Sequence, residues 1–228
     1  RAACPELTGI ALCVNRTRGN TVLAGDLHAL WGNEFIEDTL LGLRFRISPQ
    51  SFYQINPRQA EKLYRLALDY AGPDGSGAVL DLYCGIGTIT LCLARNAKFV
   101  YGAESAEAAV RNARSNARAN GVENVEFLLG DAAGAAKALA ARGITPGAVV
   151  INPPRKGLSP ALIDEIAGMS PARVVYVSCD PATLARDLKR FAELGYRPKR
   201  GQAVDMFPRT AHVEVCCLLE RLIGEKPA

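Results

Sequence analysis

The most reactive side chain in a suggestive place is Cys179, within Tyr176-Val177-Ser178-Cys179-Asp180-Pro181. It closes a short apolar run and stands just before a stretch of helical spacing. A thiol at a helix N-terminus feels the helix dipole, which lowers its pKa and favours the nucleophilic thiolate; a buried, inert cysteine is the alternative. A second constellation starts at Val79-Leu80-Asp81-Leu82-Tyr83-Cys84-Gly85-Ile86-Gly87-Thr88. Gly85 and Gly87 let a backbone approach a ligand closely at the start of a helix. A dinucleotide fingerprint needs a third glycine at position 90, where Thr90 stands. Glu104, 19 positions after Gly85, ends the next apolar run, where a carboxylate can accept hydrogen bonds from both ribose hydroxyls of an adenosine. Asp131 follows the third run and is either a contact to the adenine edge or a plain helix N-cap. Asp81, Gly85, Gly87, Glu104 and Asp131 together form the pattern of an S-adenosylmethionine site.

The fourth run ends in Asn152-Pro153-Pro154-Arg155-Lys156-Gly157. Consecutive prolines fix the backbone and present Asn152 rigidly, and its amide carries the donors and acceptor needed to read a planar base edge. Arg155 stands where the stacking residue of amino-group methylation would be, so that chemistry is disfavoured. Cys84 reads as packing beneath the glycine turn.

These residues share one feature: each lies at the end of a short apolar run or just after it. Such runs occur at 78–83, 99–103, 125–129, 148–151 and 174–177, with helical spacing at 88–96, 106–120, 131–142, 160–169 and 181–193. Two further strand-like runs lie near 202–206 and 213–220, and a helix is expected over 57–71 behind Pro57. The alternation predicts an α/β fold with a doubly wound, largely parallel sheet, which binds ligands at the carboxyl ends of its strands. Ahead of it, residues 10–14 and 21–24 flank a hairpin signal at 16–20. Leu43, Phe45 and Ile47 alternate with Arg44 and Arg46, giving one apolar and one basic face. Residues 1–47 are expected to be a small N-terminal β appendage, the remnant of an upstream or central domain, and 48–228 the catalytic domain. The opening Arg1 agrees with a fragment.

The 228 residues are 49% hydrophobic and 22% charged, as in folded domains rather than disordered chains. No apolar run approaches the roughly 18 residues of a membrane span. The seven cysteines contain no C-x-x-C, so neither a metal site nor a disulfide framework is expected, and a cytoplasmic setting is. A net charge of +4 permits a nucleic-acid partner without requiring one.

With these pieces in hand, the chain resembles the RNA uracil-5-methyltransferases, which make 5-methyluridine in 23S ribosomal RNA and in transfer RNA. The resemblance is carried by Ser51-Phe52-Tyr53-Gln54-Ile55-Asn56-Pro57, by the segments at 81–88 and 152–157, by Ser178 to Leu188, and by Asp205-Met206-Phe207-Pro208-Arg209-Thr210-Ala211-His212-Val213-Glu214. It implies a Rossmann-like class I fold and S-adenosylmethionine as cofactor. It implies Cys179 as the nucleophile that adds to carbon 6 of uracil, and Glu214 as the base that removes the proton from carbon 5. It places Gln54, Tyr83, Thr88, Glu104, Asp131 and Asn152 around the cofactor and base. Phe52 matches a position suited to stacking on a flipped-out base, with a core phenylalanine as the alternative.

Arg155, Lys156 and Arg186 could hold phosphates around the site. His212 contacts RNA, orients Glu214, or is structural. Many family members carry Asp at the position of Asn152 and Asn at that of Asp180. Asp180 adds a negative charge beside Cys179, which should raise the thiol pKa. Family members usually carry upstream RNA-binding sequence, and some an iron–sulfur cluster that Cys4 and Cys13 cannot supply. The expected activity is methylation of a uridine in structured RNA by a monomer. Ribosomal RNA is the first choice, from the Asp205–Pro208 segment and the N-P-P-R motif, and transfer RNA the second. The rivals are an RNA 5-methylcytosine enzyme and a catalytically silent RNA-binding homologue.

Overall fold

The computed structural model of the protein describes residues 4–16 and 25–222. Two antiparallel hairpins come first: β1 (Gly9–Val14) with β2 (Asp26–Gly32), and β3 (Ile36–Leu40) with β4 (Leu43–Ile47). The strand expected at 21–24 lies outside the described residues; the partner of β1 is β2. After α1 (Pro57–Ala71) the chain alternates: β5 (Ala78–Leu82), α2 (Thr88–Ala94), β6 (Phe99–Glu104), α3 (Glu107–Ala119), β7 (Val125–Leu129), α4 (Ala132–Ala141), β8 (Ala148–Ile151), α5 (Pro160–Gly168), β9 (Arg173–Ser178), α6 (Pro181–Glu193), β10 (Tyr196–Val204) and β11 (Glu214–Arg221).

One sheet takes the seven later strands in the order β10-β11-β9-β8-β5-β6-β7. The five from β5 to β9 are parallel, and β11 runs antiparallel between β9 and β10. Strand β5 lies between β6 and β8, so the chain leaves it in both directions and opens a crevice at its carboxyl end. Helices cover both faces, so the central strands are apolar throughout: Val149, Val150, Ile151 and Val174 to Val177 are all buried. One face packs against α1, α2 and α3, the other against α4, α5 and α6. Helix α1 opens on the Asn56 side chain, which accepts from Gln59 N–H, with Pro57 in the first turn, and closes on Gly72 in the left-handed conformation.

The β3–β4 hairpin is part of the first core. Leu40, Leu43, Phe45 and Ile47 are buried in the same cluster as α1 and α3, while Arg44 and Arg46 face outward. Burying a side chain such as Phe45 contributes about 2 kcal/mol. The outer edge of β4 and the loop after it meet three asparagines one helical turn apart, two on α3 and Asn120 at its C-cap. Asn120 accepts from Arg44 N–H at 2.9 Å and donates to Arg44 C=O at 2.7 Å. Asn116 accepts from Arg46 N–H at 2.8 Å and donates to Arg46 C=O and to Ile86 C=O. Asn112 donates to the hydroxyls of Ser48 and Ser51. Helix α3 thereby pairs with β4 as a neighbouring strand would, and also holds the glycine turn after β5.

Strand β10 starts earlier than the expected 202–206. Its first half is exposed, basic and broken by Pro198, features a sheet tolerates only at an edge. Among the described residues no helix is long and apolar enough to cross a membrane.

Candidate active site

Three consecutive features build the turn after β5. Tyr83, Gly85 and Gly87 all have positive φ, at 65°, 56° and 84°. For Tyr83 this is a strained conformation. Gly87 N–H closes the turn on Cys84 C=O at 2.9 Å. A Cβ at Gly85 would meet no atom within 4 Å, so the turn borders open space, whereas one at Gly87 would press on the Phe127 ring at 3.1 Å. Cys84 is buried, and burial pushes its thiol well up.

Glu104, at the end of β6, reaches this turn. Its carboxylate accepts from Gly85 N–H at 3.2 Å and from Ala106 N–H at 2.9 Å, which fixes it at the rim. Asp131 caps α4, accepting from Gly134 N–H at 2.7 Å. Tyr83 is half-buried between them, and burial, then the charges of Asp131 and Glu104, push its phenol up. Thr88, at the start of α2, is buried beside the buried Tyr64. Asn152 continues the β8 pairing, its N–H donating to Leu82 C=O at 3.3 Å.

Beneath the turn lies Asp81, fully buried near the carboxyl end of β5. One carboxylate oxygen accepts from Thr90 Oγ1 at 2.6 Å; the other, Oδ1, has no hydrogen-bond partner among the described residues. Burial raises its pKa to about 7. A buried acceptor without a donor is rare and costly, and it marks a place where a ligand's donor fits.

Cys179 and Glu214 come together through sheet register. Strand β11 pairs with β9 so that Val215 lies opposite Ser178, which sets Glu214 beside Cys179 at the strand ends. Glu214 is 5% exposed; burial raises its carboxyl, and the Arg155 guanidinium opposes that. The Cys179 thiol is also raised, first by burial and then by the Glu214 charge, with Arg155 acting in the opposite direction. Burial is thus the largest influence on the thiol, and it runs against the lowering expected from the helix start. Asp180 does raise the thiol, as expected, but as the smallest of the causes. Its carboxylate is occupied as the N-cap of α6, accepting from Ala182 and Thr183 N–H at 3.0 and 2.9 Å.

The loop before α1 carries Phe52, 71% exposed, and Gln54, 5% exposed. Exposure removes the core alternative for Phe52. Asn56 ties this loop to the segment after β10 by donating to Met206 C=O at 3.1 Å. Gln54 lines a cavity of about 590 Å³ with Tyr53, Ile55 and residues of the hairpins; Glu104, the glycine turn and Cys179 do not line it.

Arg155, Lys156 and His212 are exposed. The His212 backbone N–H donates to Thr210 Oγ1 at 3.2 Å. Arg186 is engaged, bonding Asp187 and the carbonyls of Lys156 and Leu158. Two buried polar residues beside the site, Asn116 and Asp187, were not singled out by sequence reasoning. The Asn112, Asn116, Asn120 spacing is the sequence signal for the first; the second has none beyond its place in the Ser178–Leu188 motif.

The chain matches the family model described as tRNA (uracil-5-)-methyltransferase over residues 28–222. A Lactiplantibacillus plantarum protein named as an uncharacterized RNA methyltransferase is 49% identical over 97% of this chain and 49% of its own length. A Clostridium acetobutylicum protein of similar name is 48% identical over 95% of this chain and 47% of its own. The chain thus spans about half the length of the curated relatives it matches. Among solved structures, the Pyrococcus abyssi tRNA (uracil-54, C5)-methyltransferase in complex with S-adenosyl-L-homocysteine superposes with a TM-score of 0.77 and 36% identity, over 93% of this chain and 50% of that one.

Proposed function

Because the chain belongs to the tRNA (uracil-5-)-methyltransferase family, we propose that it is the catalytic part of an RNA methyltransferase that methylates carbon 5 of a uridine in structured RNA. The observation that carries this reading is the meeting of Cys179, Glu214 and Arg155 at the ends of β9 and β11, on the same sheet rim as the open glycine turn.

The residues present fit S-adenosylmethionine. Asp81 has an unpartnered buried acceptor for a charged amino group, Gly85 leaves room for close backbone approach, and the fixed Glu104 carboxylate suits ribose hydroxyls. Gln54, Tyr83, Gly87, Thr88, Asp131 and Asn152 complete the proposed cofactor set. When bound, the cofactor supplies an electrophilic methyl group on a sulfonium. The chain's own residues prepare the uracil to receive it. The Cys179 thiolate adds to carbon 6, forming the S–C6 bond and moving the ring electrons into an enolate with a nucleophilic carbon 5. Once carbon 5 carries its methyl group, Glu214 takes the remaining proton from it. The C5–C6 double bond re-forms and Cys179 leaves as thiolate. Burial raises Glu214, which strengthens it as that base. Exposed Phe52 stacks on the extruded base, and Arg155, Lys156, Arg186 and His212 contact the RNA around it.

The Asp205–Pro208 segment and the N-P-P-R motif favour 23S ribosomal RNA. The Pyrococcus abyssi neighbour, a transfer-RNA enzyme by its name, favours the second reading. We place the protein in the cytoplasm as a monomer, with residues 48–228 as the catalytic unit into whose core the β3–β4 hairpin packs, and the β1–β2 hairpin as part of a preceding domain.

One assay tests the reading. The protein is incubated with labelled S-adenosylmethionine and total RNA lacking the modification, and the labelled nucleoside is identified after digestion. Labelled 5-methyluridine is expected, and size-fractionating the RNA assigns it to ribosomal or transfer RNA. Labelled 5-methylcytidine, or bound RNA without label, would overturn it. Cys179→Ala should abolish methylation while leaving cofactor affinity nearly intact; a Cys179→Ala protein that still methylates would sink the covalent step.

A further inference from the structure

Between the N-P-P-R-K-G loop and α6 lies a buried carboxylate that the reaction does not use. Asp187 is 1% exposed, and both its oxygens are fully committed. Oδ2 accepts from Tyr176 Oη at 2.7 Å and from Leu158 N–H at 2.8 Å. Oδ1 accepts from Arg186 Nε at 2.9 Å and from its Nη2 at 2.7 Å. The same Arg186 donates onward to Lys156 C=O at 3.0 Å and Leu158 C=O at 3.1 Å, while Thr183 Oγ1 donates to Arg155 C=O at 3.1 Å. Residues 155, 156 and 158 are thus each tied to α6 through the backbone. The loop closes against this carboxylate so tightly that a Cβ at Gly157 would fall 2.6 Å from Asp187 Oδ2.

A hydrogen-bonded carboxylate with four donors around it does not move without losing several of them. What the fixed loop carries is Arg155, whose charge acts on both Cys179 and Glu214. We propose that Asp187 is a positioning residue for the methyl-transfer site: it clamps the Arg155–Leu158 loop to α6 and so holds Arg155 beside Cys179 and Glu214. This rests on Cys179 being the nucleophile, but the experiment below needs neither RNA nor cofactor, so it can fail while methylation is seen, or succeed while it is not. The charged groups facing the Cys179 thiol are Glu214 from β11, Asp180 from the start of α6 and Arg155 from the clamped loop. Arg155 is the one cation among them, and its displacement makes the thiolate harder to form.

In Asp187→Asn one oxygen becomes an NH2. Whichever way the amide turns, a donor then faces the Tyr176 and Leu158 donors or the guanidinium. The measurement is the rate of Cys179 alkylation by iodoacetamide from pH 6 to 10, mapped by peptide mass, with exposed Cys4 as the internal reference. Asp187→Asn should shift the Cys179 profile toward higher pH and slow alkylation at pH 8 by about threefold, the thiolate loss of a half-unit rise below the pKa, with Cys4 unchanged. Arg155→Gln should do the same, and adding Asp187→Asn to Arg155→Gln should change nothing more. If Asp187→Asn does not fold, Arg186→Gln, which cuts the same ties from the exposed side, carries the test. A folded Asp187→Asn or Arg186→Gln protein with the wild-type profile, or effects that add to those of Arg155→Gln, overturns the proposal.

Discussion

Replacing Asp81 by Asn should stabilise the protein more and more as pH rises from about 4 to 7, and fully at pH 8. Asp81 is completely buried, and its pKa rises from an unfolded value of 3.8 to about 7 because burial penalises the charge. Between those values the folded chain holds a proton that the unfolded chain has released. Stability is therefore highest below pH 4 and falls as pH rises toward 7. The loss over roughly three units, at about 1.4 kcal/mol each, is about 4 kcal/mol. Asn carries no charge and keeps one acceptor for Thr90 Oγ1. At pH 5 it replaces a largely protonated acid of the same shape in the folded state, so only the loss already incurred above the unfolded value of 3.8, about 1.6 kcal/mol, separates the two proteins. At pH 8 the variant should melt higher by on the order of 10 °C, given about 2–4 °C per kcal/mol for a chain of this size. Thermal melts of both proteins at half-unit steps from pH 5 to 8, without ligand, provide the measurement. Equal melting temperatures at pH 8, or a wild-type curve flat across this range, would refute the account of Asp81 as a destabilising buried charge. The gain should be offset in function. If the unpartnered oxygen receives the cofactor's amino group, the variant binds S-adenosylmethionine at least about tenfold more weakly, since a hydrogen bond to a charged group is worth roughly 1.5–3 kcal/mol.

Three other outcomes follow from the geometry. Glu214→Gln keeps the shape of the site but cannot take the carbon-5 proton, so protein–RNA adducts should accumulate on denaturing gels while product falls by about 10²-fold or more. Phe52→Ala removes an exposed ring and should leave the melting temperature unchanged while weakening RNA binding by about 1–3 kcal/mol, read from titration of a uridine hairpin. Asn116→Ala strips partners from Arg46 N–H, Arg46 C=O and Ile86 C=O, and should cost about 2–4 kcal/mol in denaturant unfolding.

Sequence reasoning reached the strand ends more easily than what lies behind them. Apolar runs are local, and in a doubly wound sheet the residue after each run must face the crevice, so Gly85, Glu104, Asp131, Asn152 and Cys179 were legible as a group. The meeting of Cys179 and Glu214 depends on the register of β11 against β9, a non-local pairing that no spacing reveals; there the family resemblance supplied the residue, and the register shows how it arrives. The thiol's environment is also out of reach: a helix start is visible in sequence, but the burial that raises the thiol is not. The exposed, basic first half of β10 reads as loop in sequence, so the expected strand is shorter than the one formed. On α3 and at its C-cap the asparagines that bind the backbone of β4, Asn116 and Asn120, look in sequence like any solvated polar face.

Those asparagines also bear on how the molecule behaves among its neighbours. A two-stranded sheet leaves a row of amides and carbonyls that invites another chain to add a strand. On β4 the groups of Arg44 and Arg46 are taken by side-chain amides, so the edge is sealed without a third strand. Their amide protons should exchange with water only when α3 itself opens, together with the glycine turn that Asn116 also holds. One helix face thus makes the hairpin and the cofactor turn a single opening unit, and occupancy of the turn should be readable as slowed exchange in a strand on the far side of that helix.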